Sequence, residues 1–199
     1  MDPADLRIVP LAPEHWEAVV DLFGRRGGDG GCWCMFWRYS STEWSRSTND
    51  ANRGALHARA AEVPAPGLVA FRGDQAVGWV GLGPRTGFER LNRSRTLPSI
   101  DDRPVWAIVC FLVRRQARGA GLSGLLLQAA VDYARAHGAA GVEGYPVEPP
   151  PAPLPAALAY VGTTTTFERA GFHRVRPSTA HSGGSTRWIM RLEFEGPSG

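Results

Sequence analysis

The chain contains no lysine. All 22 of its basic groups are arginines, set against 19 acids for a formal net charge of +3 over 199 residues. They are scattered, and only Arg114, Arg115 and Arg118 cluster locally, which favours a single anion site over the continuous basic surface that a nucleic acid requires. No nucleic-acid partner is expected. The missing lysine, beside abundant Ala, Gly, Pro and Arg, reads as the coding bias of a GC-rich genome and carries no functional information. No apolar run approaches the roughly 20 residues that cross a bilayer, because the most apolar stretch, Val105 to Val113, stops at Arg114. No membrane partner is expected either. The opening residues, Met1-Asp2-Pro3-Ala4-Asp5, are acidic and lack the apolar region of a secretory signal, so the expected location is cytoplasmic. Three cysteines (Cys32, Cys34, Cys110) are too few for a disulfide scaffold and suit a reducing compartment. The pattern G-x-x-x-x-G-K-[ST] is absent, and Gly119-x-Gly121 lacks the early strand-helix-strand context and ribose-binding acid of a dinucleotide site.

What is present describes one compact domain spanning 1–199, with 43% hydrophobic residues. Leu6 to Val9 alternates as a strand, and Pro13 opens a helix carrying Trp16, Val19, Val20 and Phe23 on one side. A second helix is expected from a cap at Asn49 or Asp50 to Ala61, ended by Pro64 and Pro66. Leu68 to Arg72 and Gln75 to Leu82 flank Gly73-Asp74 as a hairpin. Residues 84–104 read as a long polar loop with one helical turn near Phe88 to Leu91. Val105 to Val113 is apolar throughout and is expected to be a central strand buried on both faces. Leu122, Leu125, Leu126, Ala129 and Tyr133 then repeat at helical spacing up to Gly138, and a parallel strand follows from Gly141 to Val147. Pro149 to Pro155 reads as a stiff linker, Thr163 to Ala170 as a short helix, and Phe172 to Val175 and Thr186 to Phe194 as closing strands.

The stretch with most chemical content is Val113 to Leu122, between the buried strand and the start of a helix. Such a turn exposes unpaired backbone N–H groups at the positive end of a helix dipole, and glycines at 119 and 121 allow an anion to approach closely. An ordinary strand-to-helix turn would use the same glycines for geometry alone. Gln116-Ala117-Arg118-Gly119-Ala120-Gly121 resembles the phosphate-binding signature of GNAT-type N-acetyltransferases, Gln/Arg-x-x-Gly-x-Gly/Ala. Phe167-Glu168-Arg169-Ala170-Gly171-Phe172 is similar to the family's helix and Gly-Phe element near the C-terminus, and the elements match in order across essentially the whole chain. The resemblance implies an α/β (α+β) fold: a central mixed twisted sheet of six to seven strands flanked by about four helices. It also implies acetyl-CoA as co-substrate, running beside Phe111, Leu112 and Val113. Its pyrophosphate would lie on Gln116, Ala117, Arg118, Gly119, Ala120, Gly121, Leu122 and Ser123, with Phe167 and Arg169 close by. In that chemistry a neutral amine attacks the thioester directly, a backbone N–H near Leu112 stabilises the developing oxyanion, and the leaving thiolate is protonated.

The chain departs from the family where proton transfer is concerned. Phe167 stands where the family's acid is usually a Tyr, which leaves Tyr160 and Tyr145 as substitutes or as packed aromatics. Residues 105–113 contain no acid, so the nearest carboxylate by topology is Glu143, either a base for the acceptor ammonium or a partner of one of the arginines. Cys32-Trp33-Cys34-Met35-Phe36-Trp37-Arg38-Tyr39 resembles a Cys-Trp-Cys-Met element of an uncharacterised bacterial branch of the family. Trp33 and Trp37, four apart, would share a helix face and wall an acceptor pocket, with Arg38 meeting an anionic group; the same spacing serves a core. Cys-x-Cys without a second ligand pair gives no metal site. The expectation is an N-acetyltransferase for a small amine, a metabolite or an amine antibiotic, acting as monomer or homodimer. The alternatives are a peptide acetyltransferase and a CoA-binding module that has lost catalysis.

Overall fold

A computed structural model describes residues 6–149, 160–182 and 185–195. The strands are β1 (Leu6–Pro10), β2 (Gly67–Arg72), β3 (Gln75–Pro84), β4 (Trp106–Val113), β5 (Gly141–Gly144), β6 (His173–Ser182) and β7 (Ser185–Glu193). They form one sheet in the order β1-β2-β3-β4-β5-β7-β6. Among the described strands β4 and β5 pair in parallel and the other neighbours antiparallel, so the sheet is mixed, as expected. Among the described residues six α-helices flank it: α1 (Trp16–Phe23), α2 (Ser41–Arg46), α3 (Asn49–Ala58), α4 (Glu89–Asn92), α5 (Leu122–Ala136) and α6 (Thr164–Arg169). The expected count of about four omits α2 and α4 as helices. No described helix is long and apolar enough to cross a membrane.

β4 lies at the middle of the sheet because both of its faces are apolar. Trp106, Ile108 and Phe111 pack beneath α5, while Ala107 and Val109 join Trp37, Phe88, Tyr145 and Ile189 on the opposite face. On α5 the buried stripe is Leu122, Leu126, Leu127, Ala130, Val131 and Ala134. Leu126 and Leu127 are fully covered, and each such side chain contributes about 1.5–3 kcal/mol. Leu125, expected on that stripe, is 43% exposed because the stripe lies one position further round the helix. The cap of α3 is the Thr48 side chain, which accepts from the Ala51 N–H, rather than Asn49 or Asp50.

Two irregularities prepare the site. Gly81 faces Cys110 while Leu82 faces Ile108, so Val109 is an extra residue, a β-bulge in β4. β5 ends at Gly144, three residues short of the expected Val147. Its pairing with β4 stops at Ile108 and Gly144, and Pro146 has no N–H to continue a ladder. Beyond that point the two parallel strands diverge. Residues 150–155 of the expected proline linker lie outside the described residues.

Candidate active site

The divergence of β4 and β5 opens a gap at the carboxyl ends of two parallel strands, which is where α/β sheets bind ligands. Part of the gap is filled by the chain around Tyr160, whose carbonyl accepts the Phe111 N–H at 2.6 Å. Val147 makes bridges to Thr163 on one side and Arg187 on the other. The Arg114 N–H is bonded to the Val77 carbonyl on the β3 side. Since backbone direction alternates along a strand, the Leu112 N–H points to β3 with it, and the Val113 N–H points to the gap with that of Phe111. The expected oxyanion donor at Leu112 is therefore corrected: the bulge at Val109 sets which edge each amide serves, and the gap-facing amide is that of Val113.

At the end of β4 the chain makes a tight turn at Arg115–Ala117 and enters α5 through Gly121, whose φ of +75° is left-handed. Gly119 has φ +79°, and nothing lies within 4 Å of where a Cβ would stand on either glycine. No side chain caps the N-terminus of α5, so its first amides are available to a ligand. These residues line an open cleft of ≈ 450 Å³ with Val113, Ala117, Arg118, Leu122 and Ser123, closed on one side by Thr166 and Arg169 of α6. Gln116 and Ala120 are exposed on the same turn. Arg118 folds back so that its Nε donates to the Val113 carbonyl. Phe167 is fully buried below the gap, edge-on to Phe111 and Phe172.

Glu143 lies on the face opposite α5 and is 0% exposed. Arg191 donates to Oε1 through Nε and Nη2, at 3.2 and 2.7 Å; Arg85 Nε and the Tyr145 hydroxyl donate to Oε2, at 3.2 and 2.9 Å. A carboxylate offers about four acceptor sites, and all four are used. This corrects the expectation of a base: Glu143 cannot also meet an acceptor amine, and it is the hub of a buried ion network. Asp101 extends the network as a second partner of Arg191, and Arg85 also donates to Asn92 and to the Leu97 carbonyl. The loop from 85 to 101 is thereby fastened to the sheet. Burial, and then the neighbouring Glu143 carboxylate, push the Tyr145 hydroxyl well above its usual pKa.

The Cys32 to Tyr39 segment is a series of turns, not a helix, because Trp33 and Cys34 both take positive φ, 42° and 59°. Trp33 and Trp37 consequently face different regions. Trp33 is core: it stacks on Phe23 at 5.1 Å and donates through Nε1 to Asn49 Oδ1 at 2.6 Å. Gly27 passes so close that a Cβ there would sit 2.1 Å from Trp33 Nε1. Trp33 is therefore no pocket wall. Trp37 packs with Tyr145 and Ile189 on the face opposite α5, and its buried Nε1 has no partner. Arg38 Nη2 donates to the Pro66 and Leu82 carbonyls, both at 3.1 Å, and burial lowers its pKa to about 10. Its expected role toward a substrate anion is taken up by these carbonyls. Cys34 accepts from Trp79 Nε1 at 3.1 Å, and a hydrogen bond from Cys110 lowers its pKa. Among the described residues no three His, Cys, Asp or Glu gather as metal ligands.

Arg85, Asp101 and Arg191 carry no local signal: Arg85 and Arg191 meet Glu143, and Asp101 meets Arg191, only through the fold. The helix α2 was legible, since Ser40 and Glu43 form a reciprocal capping box.

Residues 32–145, more than half of the chain, match the model of the acetyltransferase (GNAT) family. No curated relative matches the sequence. Among solved structures, a GCN5-related N-acetyltransferase from Kribbella flavida is 16% identical, with a TM-score of 0.58 over 97% of this chain and 100% of that one. YncA from Salmonella typhimurium, solved with its cofactor acetyl-CoA, is 16% identical with a TM-score of 0.58 over 98% and 97%. The NatC complex bound to Gag peptide and CoA gives 13% identity and a TM-score of 0.53 over 96% and 99%. At such identities the likeness is one of fold.

Proposed function

Because the chain belongs to the GNAT acetyltransferase family, we propose that it moves the acetyl group of acetyl-CoA to the primary amine of a small molecule by direct attack on the thioester. The observation that carries the reading is the uncapped α5 terminus behind two left-handed glycines, facing an open cleft where β4 and β5 part. These residues fit the coenzyme. The space that a Cβ would take at 119 and 121 is open, and Arg118 and Arg169 supply positive charge beside it.

Bound there, acetyl-CoA supplies a thioester carbonyl activated toward an amine. The amides from Gly119 to Ser123 hold the pyrophosphate, and the gap-facing edge of Phe111 and Val113 aligns the arm, with the Val113 N–H serving the thioester oxygen. Tyr160, pinned to β4 through Phe111, protonates the departing thiolate. A C–N bond forms as the C–S bond breaks, the sulfur takes the Tyr160 proton, and the proton released by the nitrogen passes through solvent to restore the Tyr160 hydroxyl. Tyr145 and Trp37 face the acceptor. Glu143 acts as a positioning residue, fixing the Tyr145 hydroxyl and the 85–101 loop.

The test joins calorimetry with acetyl-CoA to an assay of thiol release over a panel of small amines and peptides. Micromolar acetyl-CoA binding that is weakened in folded Gly121→Val, together with turnover on small amines, is the expected result. Unchanged affinity in that variant overturns the site, and turnover on peptides alone overturns the choice of acceptor.

A further inference from the structure

Three buried arginines stand on β7 and the loop packed against it: Arg85, Arg187 and Arg191, at 8%, 6% and 2% exposure. Arg85 and Arg191 are neutralised by Glu143, and Arg191 also by Asp101. Arg187 differs. It makes no ion pair with any described carboxylate, and its buried Nε has no hydrogen-bond partner. A buried guanidinium Nε with neither an acceptor nor an anion beside it is costly, and it calls for a partner that the described residues do not supply.

The position of Arg187 says where that partner lies. Trp188 and Met190 pack beneath α5, while Ile189 and Arg191 face the other way, so alternation puts Arg187 on the face opposite α5. It stands about 7 Å along the strand from Ile189, beside Val147 at the mouth of the gap between β4 and β5. Trp37 belongs to the same packed cluster as Ile189 and Tyr145, is 9% exposed, and also keeps an unpartnered buried donor, its Nε1. Two orphaned donors, one of them charged, thus lie on the sheet face opposite α5.

We propose that Arg187 and the Trp37 indole N–H receive a carboxylate carried by the amine that is acetylated, so that the acceptor is an aminocarboxylate. This rests on the acetyltransferase reading above. A guanidinium fork matches a carboxylate in two parallel hydrogen bonds, and the indole N–H adds a third donor. Arg38, whose Nη2 is held by the Pro66 and Leu82 carbonyls, has no part in it.

The test compares free amino acids with the corresponding amino-acid amides, in which only the carboxylate is replaced, as acceptors for the wild-type enzyme. Acetyl-CoA binding is measured separately by calorimetry. The expected result is a kcat/KM preference for the acids on the order of a hundredfold, collapsing to near unity in Arg187→Gln with acetyl-CoA affinity unchanged. Trp37→Phe, which keeps the ring and removes the donor, should cost about tenfold on the acids and little on the amides. Equal use of acids and amides, turnover of the amides alone, or no turnover of either series by an enzyme that binds acetyl-CoA overturns the proposal while leaving the coenzyme site standing. Failure to bind acetyl-CoA overturns the reading beneath it. Should Arg187→Gln not fold, the acid-against-amide ratio of the wild type decides alone.

Discussion

The turn from Arg114 to Ser123 and the network around Glu143 lie on opposite sides of the sheet and are built by opposite means. The turn is a local object. The coenzyme-binding role proposed for it rests on backbone amides, two left-handed glycines and the absence of a side-chain cap, all within ten residues of sequence and open to solvent. The network is assembled from positions 85, 101, 143, 145 and 191, its central carboxylate is fully enclosed, and every polar atom of that carboxylate is satisfied. The first can change ligand affinity with little effect on the fold; the second can hardly change at all without loosening it. A ligand site and a structural hub therefore separate by which quantity a mutation moves.

The largest effect is expected at Glu143. Glu143→Gln leaves the buried Arg85 guanidinium without its anion and Arg191 with Asp101 alone, and should cost about 3–5 kcal/mol of stability, read as a fall in denaturation midpoint, while acetyl-CoA affinity in the folded fraction stays put. A variant that keeps wild-type stability and loses only turnover would break the comparison and restore Glu143 as a proton acceptor. Next is Gly121→Val. Forcing a β-branched residue into left-handed backbone should cost about 1–2 kcal/mol, and acetyl-CoA affinity should fall about tenfold or more as the side chain fills the open space, measured by titration calorimetry. Arg169→Ala, on the exposed wall of the cleft, should lose about 1 kcal/mol of coenzyme binding, and the loss should shrink as salt is raised. The smallest effect belongs to Asp101, whose carboxyl is held below the usual carboxylate range by the hydrogen bonds from Arg191. Its folded-state pKa is depressed, so its contribution is present above the ordinary carboxylate pKa and is lost as pH falls through the lowered value. The stability difference between wild type and Asp101→Asn should accordingly be constant near neutrality and close on acidification.

The contrast also explains what the sequence revealed. The turn was readable because its determinants are contiguous, and the central strand because nine residues without a charge can only be buried on both faces. The parallel crossover followed from the same pattern. Glu143 was recognised as unusual for its setting, but its partners at 85 and 191 are 58 and 48 residues away, beyond any local rule. The pairing of Trp33 with Trp37 failed for a different reason. The i, i+4 rule presupposes helix, and positive φ at 33 and 34 sends the rings into separate regions.

The extra residue at Val109 has a wider reach than its size suggests. Every residue of β4 downstream of it owes its orientation to that single insertion: remove one codon there and Phe111 would trade faces with its neighbours, and the amide that looks into the gap would be the one that now looks into the sheet. In such a strand a frame-preserving deletion is the equivalent of turning a key inside out, and the number of residues in β4, not their identity alone, is written into the geometry of the gap.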